Sequence, residues 1–139
     1  MNPLLPSSIS SDPNQIGLLL SRDLIFTTKI QGTAQALGYR VEVIGDLVQA
    51  RSKIETLRPR LIFVDLTAGE LSAPHAIAEY ARLVGPDVWL VAFGSHVERE
   101  ALDRAKAAGC QHALPRSKFA GDLPALLRFY FTRPTQESS

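Results

Sequence analysis

The sequence predicts an α/β domain built on a five-stranded, parallel, doubly wound sheet with helices on both faces. Three observations lead there. Short apolar runs alternate along the chain with longer amphipathic stretches, as strand-then-helix units do. The runs are apolar at consecutive positions, as strands buried on both faces require. The third run, Leu61-Ile62-Phe63-Val64, closes on Asp65. In a parallel open sheet the strand ends gather beside a crevice, so a carboxylate there is the first candidate for chemistry.

The elements follow in order. Ile16 to Leu20 is too short for a helix and reads as the first strand. From Leu24 to Leu37 the period changes, with Phe26, Ile30, Thr33, Ala34 and Leu37 on one helical face and Gly38 as the stop. Arg40 to Ile44 is β-branched and alternating, a second strand. Asp46 can cap a helix whose inner face is Leu47, Ala50, Ile54 and Leu57, ended by Pro59. After the third strand, Leu61 to Asp65, a helix from about Pro74 to Val84 turns Ile77, Ala81 and Val84 inward, with Pro74 in its first turn. Val88 to Phe93 is the fourth strand. Ser95 or His96 opens the next helix, which places Val97, Ala101, Ala105 and Ala108 on the sheet and pairs Arg99 with Asp103 and Glu100 with Arg104 outside. Gln111 to Leu114 is a short fifth strand. The last helix starts at Asp122, because Pro124 is tolerated only near a helix start, and runs through Phe131.

Composition bounds the function. At 139 residues the chain is one domain, and a domain of this size buries roughly 70% of its unfolded surface without staples. Residues 16–131 form that domain, between a flexible tail over 1–15 and a polar, disordered tail over 132–139. With 15 basic against 14 acidic residues, scattered among one another, nothing favours nucleic acid. Cys110 is the sole cysteine, which excludes an intrachain disulfide, and it reads as a small buried thiol. No apolar run approaches the roughly 20 residues of a membrane helix, and the start lacks the pattern of a signal peptide. The expected location is the cytoplasm.

Such flavodoxin-like folds host phosphorelay, flavin, corrinoid and nucleotide chemistry, so the strand ends must decide. Strand-ending Asp65, the Ala36-Leu37-Gly38-Tyr39 turn, the Ala107-Ala108-Gly109-Cys110 turn and Leu114-Pro115-Arg116-Ser117 occur in an order and spacing that resembles the response-regulator receiver domain from Ile16 to Phe131. The resemblance implies that Asp65 stands at the phosphoacceptor position. It also implies departures. The family's two Mg²⁺-holding acids fall on Ser21 and Arg22, with Asp23 one step beyond; its hydroxyl after the fourth strand falls on Ala92, with Ser95 nearby; its lysine falls on Arg116 and its aromatic switch on Ala113. A guanidinium in place of a carboxylate repels a divalent ion. The chain therefore resembles a degenerate pseudo-receiver, in which Arg22 and Arg116 flank Asp65 and neutralise it without metal. The alternative at this stage is that Asp65 satisfies backbone donors of the following turn while Arg22 points to water.

Other motifs carry less. His75, His96 and His112 lie on separate elements without ligand spacing, so no metal site is expected. Ser21-Arg22-Asp23 lacks the glycine elbow and histidine partner of a nucleophilic serine. No glycine-rich nucleotide loop is present. Phe129, Tyr130 and Phe131 are consecutive and cannot all face inward; Leu123, Leu126, Leu127 and Tyr130 make an inner stripe, leaving Phe129 or Phe131 exposed. Together with Arg99, Asp103, Arg104 and Lys106, that aromatic forms an expected interaction face, since receivers commonly dimerise or meet effectors there. The expectation is a stand-alone, non-enzymatic interaction module of two-component-type signalling in bacteria, with a sensor kinase, an effector or a second copy as protein partner and no resident cofactor. An active single-domain regulator phosphorylated on Asp65 with Mg²⁺ is one alternative. A flavodoxin-like or corrinoid-binding protein is another, although the Asp-x-His-x-x-Gly motif of the latter is missing.

Overall fold

Residues 15–135 are described by the structure, a computed structural model. Five parallel strands, β1 (Ile16–Leu20), β2 (Arg40–Ile44), β3 (Leu61–Asp65), β4 (Trp89–Gly94) and β5 (His112–Pro115), form one sheet in the order β2-β1-β3-β4-β5. The helices are α1 (Leu24–Ala36), α2 (Leu47–Leu57), α3 (Pro74–Val84), α4 (Arg99–Ala108), α5 (Arg116–Gly121) and α6 (Leu123–Thr132). This is the flavodoxin-like arrangement the alternating pattern predicts. Its strand order reverses between β1 and β3, and the crevice of such a sheet opens there.

Alternation along the strands sorts the core into two layers. Leu18 and Leu20, Ile62 and Val64, and Leu90 and Ala92 pack under α2, α3 and α4. Leu19, Leu61 and Phe63, and Trp89, Val91 and Phe93 pack under α1, α5 and α6. Local chemistry fixes the helix ends. The Asp23 carboxylate accepts from Phe26 N at 3.0 Å and that of Asp46 from Gln49 N at 2.9 Å, so α1 as well as α2, where Asp46 was expected to cap, starts on a side-chain cap. Gly38 follows α1 at φ 87°, the left-handed backbone for which glycine is the default. The open edge of the sheet is protected too. Ile44 O faces β1, where Ser21 N bonds it, so Val41 O, an odd number of residues away, faces outward; Gln31 Nε2 covers it at 3.0 Å.

Several expectations are corrected. A 3₁₀ turn over Gly69–Ser72 precedes α3, and Tyr80 is the large buried residue of that helix, its hydroxyl donating to Leu71 O at 2.7 Å. The helix α4 begins at Arg99, not at Ser95 or His96, so Val97 lies in the loop before it and is 75% exposed. Glu100 and Arg104 pair at 3.7 Å, whereas Arg99 and Asp103 form no ion pair. The short helix α5, ahead of α6, was not anticipated. Phe131 is buried at 2% and stacks on Tyr39, with Leu126 partly exposed in its place. The expected disorder from residue 132 does not hold for the first part of that tail. Helix α6 includes Thr132, Arg133 O accepts from Arg60 and from Trp89 Nε1 at 2.7 and 2.8 Å, and Thr135 donates to Pro86 O. Residues 136–139, and residues 1–14 of the expected tail over 1–15, lie outside the described residues.

One partly buried polar pair makes stability depend on pH. His112 Nδ1 and the Tyr130 hydroxyl share a 2.8 Å hydrogen bond beneath Trp89 and Phe129. Burial, with the Lys106 cation adding to it, holds the His112 imidazole below its ordinary value of 6.5. The unfolded chain then binds this proton more readily than the folded one, so stability is full above about pH 6.5 and falls as pH drops through the folded value. Urea midpoints should decline between about pH 7.5 and pH 5, and His112→Gln should flatten that decline. An equal slope in parent and variant would assign the effect to other groups.

Candidate functional site

Asp65 ends β3 at the switch point and is fully buried, with side-chain exposure of 1%. Four donors surround it. Oδ2 accepts from Ser21 Oγ at 2.6 Å and faces Arg116 Nη2 at 3.5 Å. Oδ1 accepts from Thr67 N at 3.0 Å and Thr67 Oγ1 at 2.7 Å. All are donors, which is the environment an acceptor-only carboxylate needs when water is excluded. The Thr67 contacts are a local turn in which Asp65 bonds its own backbone two residues on.

Ser21 is 2% exposed and does two jobs: its hydroxyl donates to Asp65 and accepts from Asp23 N at 3.2 Å. Asp23 caps α1 through Oδ1 and meets Arg116 Nη1 through Oδ2 at 3.5 Å. The Phe26 amide holds the Asp23 carboxyl below the usual carboxylate range; partial desolvation pushes the other way, and Arg116 adds to the lowering. One guanidinium thus spans two carboxylates, with its two terminal nitrogens on Asp23 and Asp65. Aromatic rings support it from beneath. The Arg116 guanidinium carbon lies 4.3 Å from the Phe26 ring centroid and 5.8 Å from that of Phe93. Phe119 of α5 stacks on Phe93 at 4.4 Å, so the helix that follows Arg116 also secures the floor under it.

The expected pair of arginines is therefore only half formed. Arg22 is exposed and makes no bond to Asp65: Nε donates to Gly45 O at 2.9 Å and Nη1 lies beside Gly69 in the loop after β3. Its place in the loop lets it tie the β1 end to the β2 end, where Gly45 gives its stem room. Ala92 is in register with Val64, one residue before Asp65, and is fully buried in the layer under α3 and α4, so it adds nothing to the site. Ser95 accepts from Val97 N at 3.2 Å and does not bond Asp65. It lines, with Asp23, Thr67, His96, Arg116 and Ser117, a shallow basin of about 700 Å³ over the site. Thr67, Phe26 and Phe93 were missed by sequence reasoning; the Asp-x-Thr spacing of Asp65 and Thr67 was the available signal for the first.

These residues do not fit the Mg²⁺ that the receiver resemblance implies. A divalent ion wants carboxylate oxygens and waters, yet both carboxylates here share a guanidinium. Among the described residues no group of three His, Cys, Asp or Glu side chains could hold a metal.

The remaining expected positions lie apart from this pocket. Arg99, Asp103, Arg104 and Lys106 are exposed on α4, in the layer over one face of the sheet. Phe129 belongs to α6 over the other face, half-buried against Trp89 and Tyr130 with centroids at 5.5 and 5.3 Å. Edge strand β5 separates the two helices, and buried Phe131 is no part of an exposed face. Cys110 is buried and its thiol is pushed up to about 12 by desolvation, the inert structural case. No described helix is long and apolar enough to cross a membrane.

No family model and no curated protein matches the sequence. Solved structures do match the fold. A response regulator from Thermotoga maritima is similar with a TM-score of 0.72 at 14% identity, over 86% of this chain and 98% of that one. The receiver domain of a sensor histidine kinase from Pseudomonas aeruginosa, which has a magnesium ion coordinated in its active-site cleft, is similar with a TM-score of 0.71 at 22% identity, over 86% and 98%. A putative response regulator from Chloroflexus aurantiacus gives 0.74 at 13% identity, again over 86% and 98%. The chain has the fold of response-regulator receiver domains.

Proposed function

We propose that this chain is a pseudo-receiver: a non-enzymatic, cytoplasmic protein-interaction module of two-component-type bacterial signalling, whose aspartate is neutralised by its own arginine in place of Mg²⁺. One observation carries this. Arg116 bridges Asp23 and Asp65, while Ser21 and Thr67 occupy the remaining lone pairs of Asp65. A phosphodonor approaching Asp65 would find a carboxylate already held by four donors and no divalent ion to offset its charge. The chain then works by docking, to a sensor kinase or to an effector that a phosphorylatable receiver also uses. A cofactor-binding role has no support from a glycine-rich loop.

Metal titration tests the proposal. Trp89 sits at the far end of β4 from the site, so calorimetry is the suitable readout. The parent should show no saturable Mg²⁺ binding at millimolar concentration. Arg116→Ala, which leaves Asp23 and Asp65 without their shared cation, should gain it, and Arg22→Asp, which adds a carboxylate at the β1 end, should gain it too. Incubation with a small-molecule phosphodonor with and without Mg²⁺, read by intact mass, completes the test. Sub-millimolar Mg²⁺ binding or a Mg²⁺-dependent phosphoryl adduct on Asp65 in the parent would establish an active single-domain regulator instead.

A further inference from the structure

We propose that the carboxyl edge of the sheet is a self-complementary surface that pairs with a second copy of this chain, about a twofold axis along the sheet normal over β3. The apolar evidence is its location. The large hydrophobic side chains exposed among the described residues are Leu24, Ile25, Val48 and Val97, at 79%, 86%, 77% and 75%. Each follows a strand end by a few residues: Leu24 and Ile25 open α1, Val48 lies in the first turn of α2, and Val97 lies between β4 and α4. The opposite edge and the outer helix faces carry none of them. Exposed apolar side chains gathered on one face mark an interaction surface, whereas scattered ones need no explanation.

Charge and symmetry point to a second copy as the occupant. Asp65 and β3 lie at the middle of the edge, with β1 and β2 to one side and β4 and β5 to the other. A half-turn about the sheet normal reverses strand direction, exchanges the two sides and keeps each helical layer in its own plane. It therefore sets the β2 side of one copy against the β4 side of the other. Val48 and Val97 both belong to the layer of α2, α3 and α4, so the rotation brings them opposite each other. Charges reverse in the same order. On one side are Arg22, bonded only to Gly45 O, and Asp46, bonded only as a helix cap. On the other are Glu98 and Arg99, neither in an ion pair with a described residue, beside Glu100, which pairs with Arg104 at 3.7 Å. Arg22 and Asp46 of each copy thus meet Glu98 and Arg99 of its mate, twice over.

The available area sets the strength. Five strands spaced about 4.8 Å apart span about 19 Å, and three layers stacked about 10 Å apart give a depth of about 30 Å. Both edges together then bury about 1,200 Å², the lower end for a specific dimer. The pair should be reversible and sensitive to salt, and it would cover the basin above Asp65. It does not depend on whether Asp65 accepts phosphate.

Sedimentation velocity from micromolar to near-millimolar protein tests it. At low salt the average mass should rise from 15.2 kDa toward twice that value, and high salt should reverse the rise. Val97→Asp and Arg22→Glu should each weaken association at least about tenfold with circular dichroism unchanged, and Arg22→Glu combined with Glu98→Arg should recover most of the loss. A monomer across the range would overturn the proposal. So would a dimer indifferent to both single variants, which would place the contact elsewhere; the Mg²⁺ titration, run at high salt where the chain is a monomer, is independent of either result.

Discussion

Asp65→Asn should lower stability by about 1–3 kcal/mol, the scale for leaving charged or buried donors without their acceptor. The amide has the shape of the carboxylate but one oxygen too few. Ser21 Oγ and Arg116 approach Oδ2 while Thr67 N and Oγ1 approach Oδ1, so either orientation of the amide turns an NH₂ group against donors. Arg116 is one-third exposed, so part of its charge stays screened, and most of the loss comes from the buried contacts of Ser21 and Thr67. A double-mutant cycle separates the two contributions. The cost of Asp65→Asn in an Arg116→Ala background should shrink by the coupling of that pair and no more. In a site where acids crowd around a metal position, the same substitution relieves repulsion and raises stability. Urea denaturation decides between them: a midpoint unchanged or raised by Asp65→Asn would mean the carboxylate is not neutralised in the way described.

The inner strands β1 and β3 were legible because burial on both faces writes them as uninterrupted apolar runs, and edge strand β2 because its β-branched residues alternate; all three begin and end where the sequence places them. Helix starts with a side-chain cap were legible too, as at Asp23 and Asp46. An uncapped start was legible where a proline marks the first turn, as at Pro74, and misjudged where nothing does. The helix α4 has no side-chain cap bond, and the loop residues Ser95 to Glu98 carry enough helical character to look like its first turn. The short α5 offers too few residues to show a period, and its one buried anchor, Phe119, is the contact that defines it.

At the site, residue identities and their positions on strand ends were readable in the chain, which placed Asp65, Ser21, Asp23 and Arg116 together. Side-chain direction was not readable. Arg22 and Arg116 looked equivalent, two long cations on neighbouring strand ends. What separates them is the partner each loop supplies: a free carbonyl at Gly45 for Arg22, and the Phe26 and Phe93 rings with two carboxylates for Arg116. Both are long-range features of the fold.

Phe131→Ala should cost about 3–5 kcal/mol of folding stability, the range for truncating a buried aromatic, and should leave association untouched. Two stripes on α6 satisfy helical spacing, one through Leu126 and one through Phe131, and period alone does not choose between them. Gly17 on β1 does. Phe131 Cζ lies 3.0 Å from where a side-chain carbon at Gly17 would stand, so the missing side chain admits the ring, which then stacks on Tyr39 at 4.4 Å with planes 3° apart. A glycine inside a strand often marks such a close approach. Gly17→Val should therefore destabilise as well, by about 1–3 kcal/mol, since the ring must shift to make room. Phe129→Ala should cost less than Phe131→Ala, because Phe129 is only half-buried, against Trp89, His112 and Tyr130. Thermal or urea unfolding of the three variants ranks them. A Phe131→Ala protein as stable as the parent, but weaker in self-association, would return that ring to the surface.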